Sequence, residues 1–249
     1  MRIQAAKFKP TKGYAHVVHV FLSALMPALV FIFVRIDVAA FAVAVVLISK
    51  WRMFAVRPHF WPAIVRANAV DIMVSLSTIV FMTHTRMVWL QLFWVALFMI
   101  WQVFVKPGRS MFSVSAQAFI GQTYGLMAIF LGWPAASTAV IVLAVWVICY
   151  MAARHFLTSF DEPYVPMYAR TWSYFAAGLA WLSSHWLLYY SVVAQPTLFL
   201  TVLGFSLGGL YYLKETDRLS LLYRRQIVFI MLAVIIVVLV FSDWGDKTL

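Results

Sequence analysis

A chain of 249 residues that is 65% hydrophobic and only 11% charged has too little polar surface to cover its apolar side chains in water. That excludes a soluble domain. Cys149 is the only cysteine, which excludes an intrachain disulfide or a cysteine metal site. The net charge of +11 must reside in loops and helix ends, where it favours an anionic surface.

The apolar runs are uniform rather than alternating, which suits membrane helices and not barrel strands. The expected fold class is therefore an all-α integral membrane bundle. Nine runs approach the ~20 residues that cross a bilayer: 14–34, 36–53, 64–83, 87–105, 111–131, 136–153, 171–193, 197–213 and 226–242. The first is too long for a signal-peptide core and lacks a small-residue cleavage site, so it reads as a retained span. The second is the weakest, with an uninterrupted core only from Val38 to Ser49; it reaches span length if Lys50 and Arg52 extend their ammonium and guanidinium groups to the interface.

Counting lysines and arginines orients the chain. With the N-terminus in the cytoplasm, sixteen fall on that side and three (Arg35, Arg86 and Lys247) on the other, as the positive-inside rule predicts. The expected layout is four in–out–in hairpins and a ninth helix that leaves the C-terminus outside, in an inner or plasma membrane. The chain forms one transmembrane domain, 1–249. The external connections are short, so binding or chemistry is confined to the bundle interior or the cytoplasmic face.

In chain order, the first notable segment runs from Lys50 to Arg66. It mixes Lys50, Arg52, Arg57 and Arg66 with aromatic residues and two prolines that disfavour a continuous helix. It suits the headgroup level, as does the pair Arg224 and Arg225 at the start of the last run. These six are the lipid-headgroup candidates, and anionic lipids on the cytoplasmic side are the expected partners. A membrane-protein partner or a second copy of the chain is also compatible. Lipid accounts for the basic face without nucleic acid.

The third run carries Asn68, Asp71, Ser75 and Thr78 on one helical face. A carboxylate within a membrane is costly and reads first as part of an ion or substrate pathway. The bland reading is that Asp71 pairs with Arg52, Arg57 or Arg66. The fifth run places Ser113, Gln117, Gly121 and Gly125 four apart, with Gln122 beside them, and the eighth holds Gly204, Gly208 and Gly209. Small residues at this spacing let helices approach closely, and amides in lipid need partners. The seventh run adds Ser184 and His185. The pathway candidates are thus Asn68, Asp71, Ser75, Gln117, Gln122, Ser184 and His185. His16 and His19 share a face in the first run, but no third ligand accompanies them, so no metal site and no cofactor is expected.

Between the sixth and seventh runs lies the longest polar interruption, Arg154 to Arg170, holding the adjacent acids Asp161 and Glu162. With His155 they are the catalytic candidates, for acid–base or metal-assisted work on a headgroup. The bland reading is a connector whose acids offset Arg154 and Arg170. The chain lacks a zinc-protease motif, a nucleophile elbow and a phosphate-binding loop. Three functions follow: transport of a small solute or ion, or a place in a membrane complex; an enzyme acting on a lipid-linked or anionic substrate at the cytoplasmic face; or a non-catalytic scaffold.

Overall fold

The computed structural model describes residues 14–50, 57–160, 162–184, 189–190 and 193–242, with 14–20, 22, 23, 184, 189 and 190 described by backbone alone. Among these are nine α-helices: α1 Tyr14–Arg35, α2 Ala39–Ser49, α3 Trp61–Thr83, α4 Val88–Ile100, α5 Met111–Gly132, α6 Thr138–Leu157, α7 Val165–Ser184, α8 Gln195–Glu215 and α9 Leu221–Phe241. A 3₁₀ turn, Pro58–Phe60, leads into α3, and a π-helical segment, Trp101–Val105, continues α4. Six helical stretches are long and apolar enough to cross a membrane: Pro58–Thr83, Val88–Val105, Met111–Gly132, Thr138–Leu157, Gln195–Glu215 and Leu221–Phe241. The expectation of an all-α apolar bundle is met at this level.

Two expected spans take a different form. The stretch 36–53 yields only the 11-residue α2, about 16 Å long against a hydrocarbon core of about 30 Å; residues 51–53 lie outside the described residues. The stretch 171–193 is replaced by α7, which starts six residues earlier and ends at Ser184. Beyond it, Tyr189–Tyr190 (β1) pairs antiparallel with Val193–Ala194 (β2), with Tyr189 opposite Ala194. Arg170, Thr171, Ser173 and Ser183 keep α7 below the apolarity of the six.

Local chemistry explains the helix ends. Ser110 and Ser220 accept bonds from the backbone N–H of Ser113 and Tyr223, capping α5 and α9. At the other polarity, α1 and α8 end alike. Asp37 and Asp217 sit in the left-handed region, φ 62° and 54°. Val38 N–H then reaches Phe33 O at 2.9 Å, and Arg218 N–H reaches Leu213 O at 2.9 Å. Both are Schellman closures with aspartate where glycine is usual.

The core has two parts. Val30, Val34, Val46, Val74, Met82 and Phe98 pack α1 to α4 together, while Leu126, Ile141, Val145, Cys149, Ala180 and Leu200 join α5 to α8. Helix α6 packs most extensively on α7, which buries Ala169, Ser173, Ala176 and Ala180 at helical spacing. Glycines set the approach across the middle: a Cβ on Gly121 would lie 2.7 Å from Val70, and one on Gly125 2.9 Å from Ile148. Helix α9 touches chiefly α8 and buries little of its surface.

Candidate functional site

Asp71 is the buried charge around which α1 to α4 close. It is 7% exposed, which in an apolar bundle demands compensation. Two ammonium groups supply it. Lys50, the residue that caps α2, bonds Asp71 Oδ2, and Lys106 reaches the same oxygen at 2.9 Å. Oδ1 accepts from Trp101 Nε1 at 3.0 Å and from Gln102 Nε2 at 3.5 Å. Gln102 also accepts from Lys106 Nζ at 3.1 Å and rests on Met26 of α1 through its amide, 3.7 Å from Sδ.

The π segment makes this convergence possible. In an α-helix, residues five apart stand about 140° apart round the axis, so Trp101 and Lys106 would diverge. Here Lys106 N–H bonds Trp101 O at 2.9 Å, an i to i−5 bond, which returns the two residues to nearly one face. Gln117 of α5 supports the end of the segment, its Nε2 donating to Val105 O at 2.7 Å and Gly108 O at 3.0 Å. With Nε2 so engaged, Gln117 Oε1 faces His155, 3.0 Å from Nε2. His155 therefore donates from Nε2 to the amide oxygen.

The other expected residues fall into place around this centre. Asn68, Ser75 and Thr78 share the face of Asp71, yet each donates to a carbonyl four residues back on its own helix, at 2.7 to 2.9 Å. Gln122 bridges three helices: Nε2 donates to Leu200 O of α8 at 3.1 Å, and Oε1 accepts from Trp172 Nε1 of α7 at 3.0 Å. Gly204 leaves the room, since a Cβ there would lie 2.8 Å from Gln122 Nε2. Ser184 ends α7 and is described by backbone alone; His185, Asp161 and Arg52 lie outside the described residues. The first turns of α1 hold His16 and His19, also by backbone alone.

Asp71 thus pairs with Lys50 and Lys106 among the described residues, where the sequence reading offered Arg52, Arg57 or Arg66. Arg66 instead donates to Pro62 O on its own helix at 2.9 Å, and Arg57 precedes the 3₁₀ turn, exposed. Two of its partners carry a signal in the sequence: Gln102 and Lys106 stand four apart, on one face, at the end of the fourth run. Trp101 gave no such signal, because its place depends on the π register.

In the central loop, Glu162 Oε2 accepts from Tyr211 Oη of α8 at 2.7 Å, and Oε1 accepts from Tyr164 N at 3.3 Å. His155 and Glu162 are thus engaged by different partners. Among the described residues neither flanking arginine pairs with Glu162: Arg154 donates to Tyr150 Oη at 2.6 Å and Arg170 to Pro166 O at 3.0 Å. Arg224 and Arg225 stand exposed in the first turn of α9. Among the described residues no three histidine, cysteine, aspartate or glutamate side chains gather as a metal site. A groove between the far ends of α5 and α6 is lined by Ile129, Trp133, Ala136, Val140, Ile141 and Ala144, which offer no polar side chain beyond the Trp133 indole to orient a solute.

Compared with protein-family models, with curated proteins and with solved structures, the chain matches none.

Proposed function

We propose that the protein is a packed, multi-pass membrane subunit that acts by binding within a membrane complex, and not a conduit or a catalyst. The observation that carries this reading is the state of its interior polar groups. Asp71, Gln117 and Gln122 are each committed to partners on other helices or loops, and Asn68, Ser75 and Thr78 bond their own helix. A pathway needs polar groups turned toward water or solute, and these are spent on partners within the protein, three of them on other helices or loops. The enzyme reading loses support because His155 answers to Gln117 while Glu162 answers to Tyr211.

The orientation that fits this role keeps the Lys50 and Lys106 end in the cytoplasm, where the basic loops gather, and the C-terminus outside. Helix α9, seated mainly on α8, is the element best placed to meet a neighbouring subunit.

Cysteine labelling tests the reading. In a Cys149→Ala background, single cysteines replace Ser75, Thr78 or Gln122, and membrane-impermeant thiol reagents are applied from each side. The expected result is no labelling at all three positions. Labelling of Ser75→Cys or Thr78→Cys from either side would reveal an aqueous path and restore transport as the better reading.

A further inference from the structure

We infer that the Lys50–Asp71–Lys106 centre is a binding site for a phosphate-type anion, with a phospholipid headgroup or a free phosphate as its two sources. Two lysines share one carboxylate oxygen, so with both protonated the centre sets two positive charges against one negative. Lys50 is buried, but the Lys106 side chain is 38% exposed, and it stands just past the last residue of the apolar stretch Val88–Val105. The excess charge is therefore open at the level where α4 leaves the apolar layer. An ammonium has three N–H donors. Among the described residues Lys106 spends one on Asp71 and one on Gln102, and the third has no acceptor among them.

The arrangement is built and not a loose surface charge. Trp101 and Gln102 fix the other carboxylate oxygen, the π turn sets Lys106 on their face, and Gln117 holds the end of that turn. A cation is repelled by the excess charge, and a neutral solute gains nothing from it. A tetrahedral anion meets the exposed ammonium and competes with Asp71 for it. Asp71 thereby moderates the site: it keeps the lysines assembled when no anion is bound and limits the affinity when one is.

That competition gives the test its sign. The protein is placed in nanodiscs of phosphatidylcholine alone or with added phosphatidylglycerol, and in detergent with or without inorganic phosphate. Unfolding temperature and phosphatidylglycerol retention are measured for the wild type and for Asp71→Asn, Lys106→Gln, Lys106→Arg and Lys214→Gln. Asp71→Asn should be the least stable in neutral lipid and the most strongly rescued by anion, a gain that a purely structural carboxylate would not show. Lys106→Gln should lower retention by roughly fivefold, the order expected for one basic residue near a membrane surface, while Lys106→Arg keeps it. Lys214→Gln, at the exposed end of α8, should leave retention near that of the wild type.

Rescue by phosphatidylglycerol alone assigns a lipid headgroup, and rescue by inorganic phosphate assigns a free anion. Failure of both anions to rescue Asp71→Asn would overturn the site. So would an equal loss from Lys106→Gln and Lys214→Gln, which is the mark of diffuse surface charge. The site stands whether or not the interior is closed to water, so this test and the labelling test fail separately.

Discussion

In the first half of the bundle, α1 to α4 meet at a carboxylate held by two ammonium groups; in the second, α5, α7 and α8 meet at a neutral amide. Both centres tie helices that no apolar contact would orient uniquely. Asp71 gathers Lys50, Trp101, Gln102 and Lys106, and Gln122 gathers Trp172 and Leu200. They differ in what happens when one member is lost. A buried charge left unpaired costs far more than an amide bond forgone, because its desolvation is no longer offset. A membrane amide bond contributes on the order of 1 kcal/mol, since the separated helices also find partners. The charged centre is thus the point of greatest leverage on the fold, and it is also the one that retains excess charge to offer a ligand.

The largest effect should come from Asp71→Asn in neutral lipid. The amide keeps the shape and can still accept from Trp101, but it leaves Lys50 and Lys106 facing each other without a counter-charge. A loss of about 3–5 kcal/mol is expected, read as a lowered unfolding temperature and as protease sensitivity at residues 105–110. A loss below about 1 kcal/mol would mean that the lysines reach water freely, and the two centres would then differ little.

Gly121→Ala probes the seam between the halves. Its Cβ would meet Val70 of α3 at 2.7 Å, against side chains already in the core. Overpacking of this kind costs about 1–3 kcal/mol, and Gly178→Ala, with nothing within 4 Å, is the matched control. Gln122→Leu comes next, at about 1–2 kcal/mol: it removes two bonds and leaves Trp172 Nε1 and Leu200 O to find others. Tryptophan fluorescence should report the released indole. If Gln122→Leu proved as damaging as Asp71→Asn, the contrast between charged and neutral centres would fail.

Much of this frame is legible in the residues themselves. Apolar runs near span length give the helices, and serines and short polar turns give their ends. Asp71 stands out because a carboxylate in such a run is rare, and the glycines at steps of four announce close packing. The partners of Asp71 are less visible, since pairing across helices depends on register and rotation about each axis, which periodicity does not fix. Trp101 shows this plainly: only a π turn, unannounced by V-F-V-K-P, brings it beside Gln102 and Lys106. The shortness of α2 was hidden for a related reason. Its apolar core ends at Ser49, and whether Lys50 extends to an interface or turns inward depends on Asp71, twenty-one residues on. Hydropathy alone favours the interface; the carboxylate draws Lys50 inward.

The smallest effect expected is a gain, and it should be the same in both halves. Asp37 and Asp217 each hold a left-handed backbone to close a helix, with matching 2.9 Å bonds. A side chain in that region is strained, and a carboxylate there also faces the negative end of the helix dipole. Glycine relieves both, at the cost of a more flexible unfolded chain. Asp37→Gly and Asp217→Gly should therefore each stabilise the protein by about 0.5 kcal/mol, visible as a small rise in unfolding temperature, with the double variant additive because the two turns share no partner. Equal gains would show that the local closures are independent of the two centres. A gain at Asp217 with a loss at Asp37 would instead make Asp37 a third charge on which the first half depends.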